Sequence, residues 1–321
     1  MKNQLPSGKG WFSGMAIIAG IFAVLIMGYS SAVAQVSFTQ TLNADFNKGF
    51  LNNVQVSGDN VSLQFSASDV GSWLTTTVLP QTITGHRSVS WNDRYAYVIG
   101  GYNNLNYLNT VYLATIQAGG GLSSWTALNP LPVALRDPAV VIGTNTIYVM
   151  GGRDASQVYN TIYYAAINTD GTIGAWQTSA VTLPVNLWGH TATYLMGHIY
   201  VIGGTSSMTE TTALNSVYYA RVNALNTLSA FSAGTSLLAA RNRHATVTYN
   251  SKLLVLGGYD NTGTKASSVY SATPALTGST GAWTAGTSLP VALSNHSAAV
   301  TNGVISVMAG AVGATLSNTV Y

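Results

Sequence analysis

Short runs of two kinds alternate along the chain. "HTATYL" (190–195) alternates small or polar residues with larger ones, while "HIYVIGG" (198–204) is a continuous apolar run that ends in glycines. "NSVYYARV" (215–222) alternates again, and "IGAWQT" (173–178) sets an aromatic among small and polar residues. Alternation with period two puts successive side chains on opposite faces of a strand. A brief apolar run suits a strand covered on both faces. Gly, Asn, Ser and Pro separate these runs as turn formers. The pattern predicts a unit of four short strands: an innermost one where room is scarce, a fully covered second, a half-exposed third, and an outer one that stops at Leu-Pro.

The unit recurs. Glycine pairs stand at Gly100-Gly101, Gly151-Gly152, Gly203-Gly204 and Gly257-Gly258, with Ala309-Gly310 as a fifth, at spacings of 51, 52, 54 and 52 residues. Val111, Ile162, Val217, Val269 and Val320 each precede a residue in one register, Tyr in every case. Trp125, Trp176, Phe231 and Trp283 each follow fourteen residues after the first four of these. Leu-Pro at 79–80, 131–132, 183–184 and 289–290, with Leu237-Leu238 as the variant, precedes His86, Pro138, His190, His296 and His244 by a constant six residues. A period near fifty residues kept by several independent landmarks marks a repeat architecture. Four antiparallel strands cannot bury both of their own faces, but units set around an axis bury one another's, which predicts an all-β fold of the β-propeller type.

Gly-Gly after an apolar strand, Tyr about a dozen residues on, and Trp before Leu-Pro resemble the Kelch repeat. The resemblance covers residues from about 70 onward and implies four-stranded blades, one per repeat. Ala309, Phe231 and Pro138 depart from the pattern at single positions. The last unit reaches Tyr321 on its third strand, while "DVGSWLTTTVLP" (69–80) reads as a Trp strand with no unit of its own. The expectation is a ring of five blades closed by pairing of these N- and C-terminal segments, with a piece of a larger propeller as the alternative. Ahead of the ring, "NNVQVSGDNVSLQF" (52–65) carries a hairpin signature around Ser57-Gly58-Asp59-Asn60.

Lys2 and Lys9 precede an uncharged stretch whose apolar centre runs from Met15 to Met27 and which closes on Ala32-Val33-Ala34. This is the layout of a secretory signal peptide cut before Gln35; an uncleaved membrane anchor is the alternative. The expected organisation is therefore a signal segment over 1–34, a lead-in over 35–66 and the propeller over 67–321, in a secreted, periplasmic or cell-surface protein. Contact with a membrane is expected only through an uncleaved N-terminal segment. Charged residues make up 7% of the 321, against about a quarter in typical soluble chains. Without Lys2 and Lys9, ten basic residues face nine acidic ones. With no basic run, nucleic acid is not an expected partner. The chain has no cysteine, which excludes disulfides and thiolate metal sites.

His86, His190, His244 and His296 share one repeat position at the start of the innermost strand, and on a propeller they fall near one mouth of the channel. They are expected to brace neighbouring blades through the backbone, because no carboxylate accompanies them in register as a metal site would need. No metal or other cofactor is expected. Catalytic carboxylates are scarce: Glu210 is the single glutamate, and Asp93, Asp170 and Asp260 sit in turn contexts. Binding sites on a symmetric scaffold arise where the symmetry breaks. Here the strand-start segments differ, placing Arg87, Arg136, Asp137, Trp188, Arg241, Arg243 and Asn295 around the same mouth, with Trp188 as a candidate stacking surface. The resemblance implies that this face takes a protein or glycan ligand without catalysis. A sugar-active propeller enzyme of the mutarotase or epimerase type, and a structural surface-layer role, are the rivals. The copper-dependent sugar oxidase of the same family needs a cysteine that this chain lacks.

Overall fold

The computed structural model describes residues 53–57, 60–64 and 75–321, apart from 118–119, 210–211 and 302. The signal segment, residues 69–74 of the Trp strand and Glu210 therefore lie outside the described residues. The lead-in hairpin pairs β1 (Asn53–Ser57) with β2 (Asn60–Gln64) in antiparallel register, Ser57 opposite Asn60. It belongs to a compact unit separate from residues 74–321.

Four sheets of four antiparallel strands follow, each in chain order from the axis outward. The first is β3 (Arg87–Trp91), β4 (Tyr95–Ile99), β5 (Val111–Thr115) and β6 (Thr126–Ala127). The second is β7 (Ala139–Ile142), β8 (Thr146–Met150), β9 (Ile162–Ala166) and β10 (Gln177–Thr178). The third is β11 (Thr191–Leu195), β12 (His198–Ile202), β13 (Val217–Arg221) and β14 (Ser232–Ala233). The fourth is β15 (Ala245–Tyr249), β16 (Lys252–Leu256), β17 (Val269–Ala272) and β18 (Thr284–Ala285). A fifth blade has β19 (Ser297–Thr301) and β20 (Val304–Met308), then a hairpin of β21 (Ala311–Val312) and β22 (Thr315–Leu316). Its third strand is the return of Thr319–Tyr321 to β20, with Val307 and Tyr321 exchanging two backbone bonds of 2.9 Å.

The innermost strands β3, β7, β11, β15 and β19 lie side by side in that order. Every residue of β8 and β12 is buried, as expected of a strand covered on both faces. The apolar cores lie between blades rather than within them. Tyr97, Ile99 and Leu113 of the first blade pack with Ile147, Val149 and Tyr163 of the second. Met150 and Ile162 pack with Ile199 and Val201, and Tyr200 and Ile202 with Leu253 and Val255. Each such side chain contributes about 1.5–3 kcal/mol by leaving water, and none could do so without the neighbouring unit. Outer aromatics add polar ties: the indole N–H groups of Trp125, Trp176 and Trp283 donate to the carbonyls of Thr77, Asn129 and Thr235 on the preceding connection. Residues 75–81 thus lie on the first blade as the connection after β6 lies on the second. Among the described residues no hydrogen bond joins this segment to Thr319–Tyr321. The fifth blade is half-covered accordingly, with Val304 41% exposed.

Candidate functional site

The Gly-Gly and His positions interlock at the channel mouth. Gly203 and Gly204 end β12 with φ of +60° and +92°, backbone conformations open to glycine at little cost. A Cβ on Gly204 would lie 2.6 Å from the Cβ of His190 in its own blade. A Cβ on Gly203 would lie 2.9 Å from Cε1 of His244 and 2.3 Å from the Arg241 carbonyl, both in the next blade. The same relation holds for Gly151 with His190 and for Gly257 with His296. The repeated histidine is therefore a wedge between blades, and the glycine pair is the room made for it.

Burial governs the chemistry of these rings. His190 is completely buried, its ring nitrogens without hydrogen-bond partners among the described residues; burial first, and the Arg87 charge second, push its pKa down to about 3. His244 is pushed to about 3 by burial and by His296 and His190, and its Nε2 lies 2.9 Å from Thr191 Oγ1 in the preceding blade. His296 falls to about 4 through burial, with the Leu256 backbone opposing. His86 is lowered by burial and by Arg87. These imidazoles are neutral at pH 7. Among the described residues no group of three or more potential ligands gathers where a metal ion could be held.

Immediately before the His position stand Gly85, Asp137, Gly189, Arg243 and Asn295, one per blade, all at positive φ between +48° and +61°. Their backbones form a chain around the mouth. Asp137 N–H donates to Gly85 C=O (2.8 Å), Gly189 to Asp137 (3.0 Å), Arg243 to Gly189 (2.7 Å) and Asn295 to Arg243 (3.0 Å). Asp137 is 3% exposed, and three guanidinium groups from three blades surround its carboxylate: Arg87 at 3.5 Å, Arg136 at 3.4 Å and Arg243 at 3.4 Å.

A cavity of about 720 Å³ opens beside this cluster. Eight of the residues expected at the mouth line it: His86, Arg87, Arg136, Asp137, Arg243, His244, Asn295 and His296. Three do not. His190 is sealed between blades. Trp188, expected to stack on a ligand, is 1% exposed: its ring lies between the guanidinium groups of Arg153 (4.4 Å) and Arg243 (5.1 Å), and its N–H donates to Ser207 C=O at 2.6 Å. Arg241 turns into its own blade, bonding Ser268 Oγ at 2.7 Å and the Tyr270 hydroxyl at 3.1 Å. Trp188 and Arg241 are braces, because each finds a buried partner that a ligand would have to displace.

Arg153 is the residue that the sequence reading missed. It follows Gly151-Gly152 at a position that forms an antiparallel bridge within its own blade to the residue two before the His position, as Arg136 with Arg153 and Trp188 with Thr205. The changing identity of that position, Tyr102, Arg153, Thr205, Tyr259 and Ala311, was the signal available. Arg136 lies over the Tyr102 ring at 5.3 Å in the same manner.

Four-stranded blades around a channel, with a histidine of the next blade against the glycine pair at three of the junctions, define a β-propeller of the Kelch-repeat type. No family model matches the chain. Kelch-like protein 15 of Danio rerio is 26% identical over 205 residues, covering 59% of this chain and 32% of that protein, so the match spans about a third of the relative's length. The solved structure of YjhT superposes with a TM-score of 0.58 at 18% identity, covering 74% of this chain and 75% of YjhT. That likeness is one of fold.

Proposed function

We propose that the chain is exported and acts as a non-catalytic recognition module, holding a protein or carbohydrate ligand on the face around the channel mouth. The observation that carries this reading is the convergence of Arg87, Arg136 and Arg243 on the single carboxylate of Asp137 beside the cavity. Among the described residues three cations share one carboxylate at the rim, and a concave surface of one sign concentrates ligands of the other. The pairs are longer than the roughly 2.7–2.9 Å of a tight charge-assisted bond, so an incoming acidic group has little to dismantle. Asp137 and Arg243 also hold positive φ, which costs a side-chain-bearing residue on the order of 1 kcal/mol. Gly85 and Gly189 hold the same conformation without that cost. Costly residues at one mouth fit recognition better than they fit stability.

Export rests on the Lys2, Lys9 and Ala32-Val33-Ala34 layout, and the N-terminal sequence of the protein recovered outside the cell tests it. For recognition, the experiment is a combined glycan and peptide array probed with the purified protein and with Arg87→Gln and Arg136→Gln. The reading predicts retention of acidic ligands, weakened about tenfold in either variant, with the melting temperature little changed. Failure to retain any ligand, or equal retention by the variants, contradicts it.

A further inference from the structure

The end of the blades opposite the mouth carries a different surface. There the third strand of each four-stranded blade turns into the fourth, and one backbone bond closes each turn: Gly120 to Gln117, Gly171 to Asn168, Asn226 to Asn223 and Gly278 to Ala275. The second blade fills the tip of this turn with Thr169 and Asp170, residue types that suit it. The third and fourth blades fill it with Ala224-Leu225 and Leu276-Thr277, and the two leucines are 85% and 84% exposed. Leucine brings a turn neither a side-chain hydrogen bond nor backbone freedom, and at this exposure neither side chain packs on the fold. Two such departures on neighbouring blades ask for a role outside the fold.

The two turns belong to one patch. A Cβ on Gly278 would lie 2.4 Å from Cδ2 of His198, so the turn bearing Leu276 rests on the third blade. His198 is the strand partner of Arg221. The Val222 N–H donates to Gly197 C=O at 2.9 Å, which sets the turn bearing Leu225 beside Met196, itself 40% exposed. Arg221 and Lys252 are exposed at the same end, and the half-buried Tyr249 is the strand partner of Lys252. Acidic side chains lie elsewhere. Among the described residues, Asp93 and Asp170 are on the first and second blades, and Asp137, Asp154 and Asp260 are at the mouth end.

We propose that this end of the third and fourth blades docks on a membrane: Leu225, Leu276 and Met196 enter the boundary between headgroups and acyl chains, and Arg221 and Lys252 meet anionic phospholipid headgroups. Apolar tips among cations, with no anion beside them, match the layering of an anionic bilayer. Leucines on separate turns enter a fluid layer directly, whereas a protein partner has to supply a pocket for each. Tyr249 stands where an interfacial aromatic belongs. Because the strands run from one end to the other, docking here leaves the channel mouth facing away from the lipid and open to a ligand. The propeller itself makes this contact, whereas the sequence pointed to the N-terminal segment alone.

The chain has no cysteine, so one introduced cysteine carries a polarity-sensitive nitrobenzoxadiazole label at a chosen site. Leu225→Cys and Leu276→Cys probe the patch, and Leu105→Cys, 83% exposed at the mouth end, is the control. The full chain is mixed with vesicles of phosphatidylcholine, or of phosphatidylcholine with phosphatidylglycerol. On the anionic vesicles the labels at 225 and 276 are expected to brighten and to be quenched by doxyl lipid, while the label at 105 is unchanged. In flotation, the unlabelled Leu225→Ser/Leu276→Ser protein is expected to bind about tenfold more weakly. Arg221→Gln/Lys252→Gln is expected to lose about twentyfold on the anionic vesicles. All four side chains are exposed, so both variants should melt with the parent. Flotation with unresponsive labels at 225 and 276 overturns the proposal, because another segment then holds the lipid. Equal brightening at 105, binding indifferent to phosphatidylglycerol, or no binding overturns it as well. So does a dimer in solution that Leu225→Ser dissociates, since a second copy then covers the patch.

Discussion

The imidazole of His244 sits so close to Gly203 of the preceding blade that a Cβ there would lie 2.9 Å from its Cε1. That contact couples two sequence landmarks about forty residues apart and recurs at Gly151 with His190 and at Gly257 with His296. It gives a direct test. Gly203→Ala must both clash with the next blade and hold a side chain at φ +60°, and the expected loss is about 2–4 kcal/mol in chemical denaturation. Ala309→Gly relieves the same backbone conformation where no blade presses on it, and a gain of about 0.5–1 kcal/mol is expected.

Acid should weaken the fold well before carboxylates protonate. The ordinary histidine value is 6.5, and in the fold His190 and His244 are held near 3 and His296 near 4 by burial. A depressed folded pKa contributes stability that is complete above 6.5 and is lost as pH falls toward 4 and 3, because the unfolded chain takes up protons that the folded chain refuses. Each such histidine adds up to about 1.4 kcal/mol of loss per pH unit within that window. Unfolding free energies at pH 7, 5.5 and 4.5 check this, and His296→Gln should flatten the slope by about one proton. The aspartates held low by hydrogen bonds, Asp154 (about 2), Asp170 and Asp260, act only below their ordinary value of 3.8.

Asp137→Asn removes the one carboxylate that Arg87, Arg136 and Arg243 share. A loss of about 1–3 kcal/mol is expected, since Asp137 is buried but its pairs are long and Arg87 and Arg136 are partly exposed. Raising sodium sulfate should restore part of it by screening the three cations, while the parent protein changes less. Equal salt response in the two proteins would contradict the electrostatic account of the mouth.

Trp188→Ala separates brace from binding surface. Loss of a fully buried indole between two guanidinium groups is expected to lower stability by about 3–5 kcal/mol. The folded fraction should bind acidic peptide as the parent does, because Trp188 does not line the cavity.

The architecture was legible in the sequence for a physical reason. Gly203, Gly204 and His190 are tied by close contacts, so their spacing recurs along the chain, with Pro138 and Ala309 as single departures. Strand roles were legible too: the apolar run of β12 is buried along its whole length, and the two-residue outer strand of Gln177–Thr178 is exposed. The mouth was legible in part. Asp137 and Arg243 stood out because the strand-start segments differ from blade to blade, with Gly85, Gly189 and Asn295 in the same register. Trp188 and Arg241 stood out equally, yet their burial is set by Arg153 and Tyr270, partners that no local pattern reveals. Of the segment 69–80 expected to pair with the last blade, residues 69–74 lie outside the described residues, and Thr76 and Thr77 bond Leu122 and Trp125 of the first blade.

Residue-resolved hydrogen exchange at the five mouth amides tests the central claim most directly, since protection reports the backbone chain that binds the blades about one axis. The account predicts strong protection of Asp137, Gly189, Arg243 and Asn295, with Gly85 exchanging far faster in the unliganded protein. Gly85 as slow as the other four would mean a ring already closed at that step, and fast exchange at all five would mean that the blades are not joined around a channel.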